Sequence, residues 1–280
     1  MKRLFILLFI STFFISPCFA WNFGFGNSEE KQVEKVLKAQ VRYANKTNFD
    51  KFINTYDSKY INSDGFNLEV YSNLVKDIWK SFDNIKYGID IKKIDIDGNK
   101  ATVELVETSF AELEMTKAYE GELNSSANSI YYLEKKEDGW KVVSDTVLDE
   151  TTSMLYGTAR DLDIKLTVPD SVEANQDYIA TLEFTPPEET LAIASIASDI
   201  VEYPQKKTEE VFRTLPEDNI LERYFTSNSK NANEYIVASI GLTKTSLCNL
   251  DIKLSLTGFG YAIKRVNVVH DNNGDNDVKD

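Results

Sequence analysis

Apolar residues repeat with two different periods along this chain, and the change falls near residue 84. Before it, Val33, Val36, Leu37, Gln40, Val41 and Ala44 recur every three or four positions, which predicts a helix from about Glu30 to Asn45. Thr47 followed by Asp50 fits a capping box. It predicts a second helix with Phe49, Phe52, Ile53, Tyr56 and Tyr60 on one stripe. Asp64-Gly65 reads as a turn, and Asn67 as the cap of a third helix carrying Tyr71, Leu74, Val75, Ile78 and Phe82 on one face. After it, Ile85, Tyr87, Ile89 and Ile91, then Ile94 and Ile96, alternate as in a half-buried strand. A slip at Lys92-Lys93 predicts a bulge. Asp97-Gly98-Asn99 predicts a hairpin turn, and Ala101, Val103, Leu105 and Phe110 the return strand. Residues 115–128 carry a weaker pattern. A second hairpin runs from Ile130 to Lys135, turns at Glu137-Asp138-Gly139, and returns from Trp140 to Val147.

From residue 156 the pattern is that of short strands. Tyr156-Gly-Thr-Ala-Arg-Asp-Leu-Asp163 reads as a linker. The candidate strands are Ile164–Val168, Tyr178–Phe184, Leu191–Ile196, Glu210–Arg213, Arg223–Thr226, Tyr235–Leu242 and Leu250–Val269. Pro169, Pro186-Pro187, Pro204, Pro216, Gly258 and Gly260 punctuate them. Seven short strands in about 110 residues predict a β-sandwich.

Helices followed by an antiparallel sheet is an α+β order. The blocks Phe52-Ile-Asn-Thr-Tyr-Asp-Ser-Lys-Tyr60, Ile94-Asp-Ile-Asp-Gly-Asn-Lys-Ala-Thr-Val103 and Tyr131-Tyr-Leu-Glu-Lys-Lys-Glu-Asp-Gly-Trp-Lys-Val-Val143 resemble the nuclear transport factor 2-like (NTF2-like) fold, also called SnoaL-like. The resemblance covers residues 30–155, under half of the chain. It implies a cone: three helices wrapped by a curved antiparallel sheet, often around a cavity. The segment Lys165-Leu-Thr-Val-Pro through Thr181-Leu-Glu-Phe184 is similar to the opening strands of bacterial immunoglobulin-like (Ig-like) modules, without the Cys-Trp-Cys pattern of antibody domains. The expected architecture is a signal peptide at 1–20, a flexible leader at 21–29, an NTF2-like domain at 30–157, an Ig-like β-sandwich at 163–270 and an acidic disordered tail at 271–280.

The leader changes the compartment. Lys2 and Arg3, an apolar stretch from Leu4 to Ile15, Pro17, and small residues Cys18 and Ala20 make the three parts of a secretory signal. Cleavage near Ala20 predicts a secreted or periplasmic protein of the cell envelope. An uncleaved anchor and lipid attachment at Cys18 are the alternatives, and contact with a membrane is expected only through that leader. The net charge is −14, and losing Lys2 and Arg3 takes it to −16. Such a surface repels phosphate backbones, so no nucleic-acid partner is expected. Of two cysteines, only Cys248 would remain, so no intrachain disulfide is expected and burial must hold the protein together.

The same composition narrows the chemistry. The single histidine, His270, borders the acidic tail, where no formed site would hold it. No phosphate loop or dinucleotide fingerprint occurs. Asp95, Asp97 and Asn99 alternate as in a calcium loop, but Val106 stands where the bidentate glutamate belongs. The tail oxygens Asp271, Asn273, Asp275 and Asp277 suit a hard cation but lack flanking structure. Neither a metal site nor a cofactor is expected, and no catalytic residue is assigned. Enzymes of the resembled family can abstract protons with a buried Asp beside a Tyr donor; Tyr43, Tyr56, Asp57 and Tyr60 lie near the corresponding helices, but no family motif places a catalytic Asp here. Packing against the sheet is the competing reading for Tyr56 and Tyr60, and core or cavity wall the reading for Trp79 and Trp140, so Tyr43, Tyr56, Tyr60, Trp79 and Trp140 are candidates for lining the cavity. The expected function is a non-catalytic binding or scaffold protein with a small-molecule or protein partner, self-association through the NTF2-like sheet included. The alternative is a small-molecule isomerase or lyase working through carboxylates and tyrosines in the cavity.

Overall fold

The computed structural model describes residues 28–116, 119–206, 209–248 and 251–269. The expected signal peptide, His270 and the acidic tail lie outside them, as does the leader up to residue 27. Three helices come first: α1 (Ser28–Ala44), α2 (Phe49–Ile53) and α3 (Leu68–Ser81). α1 buries Val33, Leu37, Gln40 and Ala44, the i, i+4, i+7, i+11 stripe read from the sequence. α3 is capped as expected, with the Asn67 side chain accepting from the Val70 amide at 3.0 Å.

α2 departs from expectation in both its start and its length. Asn48, not Thr47, is its cap, accepting from the Lys51 amide, and Thr47 sits at φ 48°. The helix stops at Ile53, where sequence spacing carries it to Tyr60. The reason is a competing partner for the backbone. The Asp57 amide donates to the Val142 carbonyl at 2.8 Å, and the Val142 amide to the Thr55 carbonyl at 3.0 Å. Tyr56 therefore bridges in parallel to the sheet. Tyr56 and Tyr60 still reach the core, at 4% and 1% exposure, because a sheet bridge buries them as well as a helix face would.

Four long strands follow: β1 (Lys86–Asp97), β2 (Lys100–Thr116), β3 (Tyr119–Lys136) and β4 (Gly139–Gly157). They pair antiparallel in chain order. The predicted slip is present as a register shift between Ile91 and Lys93. The weakly patterned 115–128 region belongs to a β2–β3 hairpin much longer than its apolar pattern indicates. Residues Glu104–Glu114 pair with Glu120–Ile130, and Ala111, Leu113 and Leu123 form a small core of their own beneath.

The remaining strands are β5 (Lys165–Thr167), β6 (Ser171–Glu173), β7 (Asp177–Glu183), β8 (Thr190–Ile200), β9 (Arg213–Thr214), β10 (Ile220–Thr226), β11 (Glu234–Cys248) and β12 (Asp251–Val269). Six of the seven segments read from sequence coincide with a strand, while Glu210–Arg213 meets one only at Arg213, the first residue of the two-residue β9. β6, of three residues, escaped detection; it lies parallel to the end of β12. β10-β7-β5 make one sheet, and β12, β11, β8 and β9 face it across a core that includes Leu182, Phe184, Ile196, Ile236 and Leu242.

The two halves share one sheet. Residues Thr151–Gly157 of β4 pair antiparallel with Gly258–Lys264 of β12, giving the order β1-β2-β3-β4-β12-β11-β8-β9. Residues 158–161, within the stretch read as a linker, form a single 3-10 turn with Ala159 fully buried. The helices pack on one face of this sheet. The second sheet packs on the opposite face, since Ala262 and Ala238 enter the sandwich core while Ile263 and Val237 point toward α3. The turn imposes a sharp backbone demand at Gly157. Its φ is 58°, and a Cβ there would lie 2.3 Å from the Thr257 carbonyl oxygen. Gly157→Ala is expected to lose about 1–3 kcal/mol, read as a lowered melting temperature with unchanged far-UV dichroism. An unchanged melting temperature would mean that the seam relaxes freely. Among the described residues no helix is long and apolar enough to cross a membrane.

Candidate functional site

A cavity of about 140 Å³ lies between the helices and the sheet. Gln40 and Val41 come to it from α1, Tyr71, Leu74, Val75 and Trp79 from α3, Tyr87 from β1, Glu107 from β2 and Tyr131 from β3. The helix residues are on the wall because their stripes face the sheet, and the strand residues because their side of the sheet faces the helices. Glu107 is there because it continues the inward row Val103, Leu105 on β2. That alternation was legible: a charged residue at an inward position of a strand is the signal that marks it.

The polar groups inside are arranged in short hydrogen-bonded units. The Ser129 hydroxyl donates to one Glu107 carboxylate oxygen and the Tyr131 hydroxyl to the other, both at 2.8 Å. Burial pushes the Glu107 carboxyl above its usual range, the two hydroxyls oppose this, and the Glu150 charge adds to it. The Tyr56 and Tyr71 hydroxyls are 2.9 Å apart, with ring centroids at 5.1 Å. The Trp79 indole N–H donates to the Tyr87 hydroxyl at 3.1 Å. The Asn45 amide fixes β1 against α1 by two bonds with the Tyr87 backbone. Gln40 is 6% exposed, and its amide nitrogen has no hydrogen-bond partner. An unpaired buried donor on a cavity wall carries a desolvation cost that a bound acceptor would relieve.

Of the five residues singled out from sequence, Tyr56 and Trp79 stand on this wall. Tyr60 lies deeper, and its hydroxyl donates to Asp145. Trp140 is buried, with its indole N–H on Glu29 at 3.1 Å. Tyr43 packs against the same core with the Arg42 guanidinium 5.3 Å from its ring centroid.

The carboxylates form a wider set, unforeseen from the sequence. Asp145 is 8% exposed, and its carboxyl is pushed up to about 7 by burial, with the Glu107 and Asp64 charges adding and the Tyr60 hydroxyl and Arg265 opposing. Glu150 is raised chiefly by burial and accepts from the Tyr235 hydroxyl at 3.0 Å. Asp64 pairs with the Arg265 guanidinium at 2.5 Å, the side chains being 6% and 1% exposed, and the Asn233 amide adds a bond at 2.7 Å. Glu107 and Glu150 both register with Ala127, so they stand two strand spacings apart on one face, about 10 Å at the backbone. Among the described residues no group of three or more His, Cys, Asp or Glu is arranged to hold a metal ion. The cluster is thus a set of buried acids held by hydroxyls and one guanidinium.

No family model and no curated protein matches this chain. Solved structures do. A putative dehydratase of the NTF2-like family from Streptomyces avermitilis is 13% identical at a TM-score of 0.37, covering 43% of this chain and 95% of its own. An NTF2-like protein with a cystatin-like fold from Novosphingobium aromaticivorans is 11% identical at 0.34, covering 43% and 80%. A Bdellovibrio bacteriovorus protein is 13% identical at 0.36, and the match spans 42% of this chain and two fifths, 40%, of that one. These are similarities in the arrangement of helices and strands, and nothing about activity follows from them.

Proposed function

We propose that this is an exported, non-catalytic binding protein whose helix-covered half takes a small, largely apolar molecule with one polar group. The observation that carries the reading is the cavity of about 140 Å³ with an unpartnered buried Gln40 amide on its wall. That volume is close to that of engineered cavities which bind benzene. The aromatic walls supply apolar contact, and the Gln40 amide and Glu107 carboxyl supply orientation. Export rests on the leader at 1–20. The Ig-like reading of the second half is supported by its strand order, three strands β5, β7 and β10 against β12, β11, β8 and β9, with β6 parallel to the last strand. Docked edge to edge on β4, it would serve as a rigid spacer or adhesion module.

The isomerase or lyase reading draws on the raised Glu107 carboxyl beside a tyrosine. Against it, the hydroxyls nearest that carboxyl, Ser129 and Tyr131, already donate to Glu107, which leaves neither to stabilise a developing oxyanion on a substrate.

Phenol is a fitting probe, since its hydroxyl can accept from Gln40 and donate to Glu107. Titration followed by protein NMR should show saturable shifts at residues on this wall. Gln40→Leu should weaken phenol about fivefold while leaving benzene unchanged, a difference of about 1 kcal/mol. Absence of saturable binding, or equal affinity for phenol in wild type and Gln40→Leu, would reject the reading.

A further inference from the structure

A second and larger cavity, about 330 Å³, lies at the seam between the halves. Its roof is Phe66 and Leu74, from the loop before α3 and from α3 itself, and its floor is Tyr235, Val237 and Ile263 on the helix-facing side of β11 and β12. Tyr203 closes one side, held by its hydroxyl on Asp77 of α3 at 2.5 Å. The walls are therefore apolar and aromatic. The charged residues on them, Glu150, Asp199 and Glu202, are all acidic. Lys206 pairs with Glu202 from the exterior, its own side chain 76% exposed. Arg265 is a buried cation whose charge already favours the Glu150 carboxylate, but its hydrogen bonds go to Asp64 and to Asn267 at 2.8 Å, not to Glu150. Glu150 is bonded by neutral donors, Tyr235 at 3.0 Å and Thr152 at 3.4 Å.

We propose that the seam cavity binds a small organic cation, a primary ammonium carried on an apolar chain, with the ammonium on Glu150 and the chain along Leu74, Val237 and Ile263. The physical case has three parts. A carboxylate removed from water and bonded by hydroxyls gains most from a full positive charge brought to it. The faces of Phe66, Tyr203 and Tyr235 attract cations and repel anions. The volume falls in the range of small-molecule sites, at a junction of two cores where such sites concentrate. Since the walls come from both halves, an occupant would also brace them against each other. The site is separate from the cavity that contains Gln40, although Leu74 stands between the two and lines both.

The test is calorimetric titration of the full chain at physiological salt with n-hexylammonium, n-hexanol and n-hexanoate. Hexylammonium should bind one per chain, about tenfold or more tighter than hexanol, and hexanoate should give no heat. Glu150→Gln should cost hexylammonium about tenfold and leave hexanol unchanged. Val237→Trp, which fills the cavity without touching a charge, should abolish both, with dichroism verifying the fold of each variant. Gln40→Leu should change neither, so this result is independent of the phenol experiment. Hexanol binding as tightly as hexylammonium, hexylammonium affinity surviving Val237→Trp, or no saturable heat at all would each overturn the proposal.

Discussion

Replacing Arg265 by alanine should destabilise the protein by about 3–5 kcal/mol, the cost of leaving a buried carboxylate without its counter-charge. Arg265 and Asp64 lie 201 residues apart in the chain and are almost wholly buried at the seam. In the variant, Asp64 would keep the Asn233 amide but no cation among the described residues that pairs with it. Asp145 and Glu150 would also lose a cation that now opposes the rise of their carboxyls. Urea denaturation at pH 7 measures the loss. Because the pair is shielded from solvent, added salt should not rescue it, unlike a surface pair. The double variant Asp64→Asn with Arg265→Met removes both charges and should recover a large part of the loss, since the penalty belongs to the orphaned charge rather than to the absent attraction. A loss below about 1 kcal/mol for Arg265→Ala would place the pair in the class of exposed ion pairs and remove the seam as a structural hinge of the fold.

The second large effect is a stability that falls as pH rises toward neutrality. Asp145 has a folded pKa of about 7 against an ordinary 3.8. Between those values the folded state holds a proton that the unfolded state has released. The contribution of Asp145 to stability is therefore fully present below about pH 4, declines from pH 4 to 7, and is lost above that. Three units at about 1.4 kcal/mol each give a decline on the order of 4 kcal/mol. Glu107 and Glu150 are raised as well and add slope of the same sign. Asp145→Asn cannot titrate, and its amide oxygen can still accept from Tyr60. Melting temperatures at pH 5, 6, 7 and 8 should fall steadily for the wild type. They should fall much less for Asp145→Asn, which should be the more stable protein at pH 8. Parallel slopes for the two proteins would show that Asp145 is ionised in the folded state at neutral pH.

The features readable in advance were local. α1 and α3 show in their three- and four-residue spacing and in the Asn67 cap. The β1–β2 and β3–β4 hairpins show in alternation interrupted by Asp97-Gly98 and Asp138-Gly139, and the bulge in the doubled Lys92-Lys93. Each is dictated by a few consecutive residues, so a single chain carries the whole signal. α2 fails at the point where a distant partner enters: Val142 takes the backbone of Thr55–Asp57 out of the helix. Glu107 stands between the two cases. Its inward position follows from Val103 and Leu105, but its meaning waits on Ser129 and Tyr131 from the next strand.

The sequence by itself determined the periodic elements, the acidity and the order of helices before strands, because these are properties of neighbours along the chain. Tertiary structure alone decided that β4 and β12 join into one sheet, that Arg265 meets Asp64, and that four acids gather behind the helices. Those pairings join residues up to two hundred positions apart. Which of many exposed edges and charges meet depends on how two cores pack, and no local pattern records that outcome.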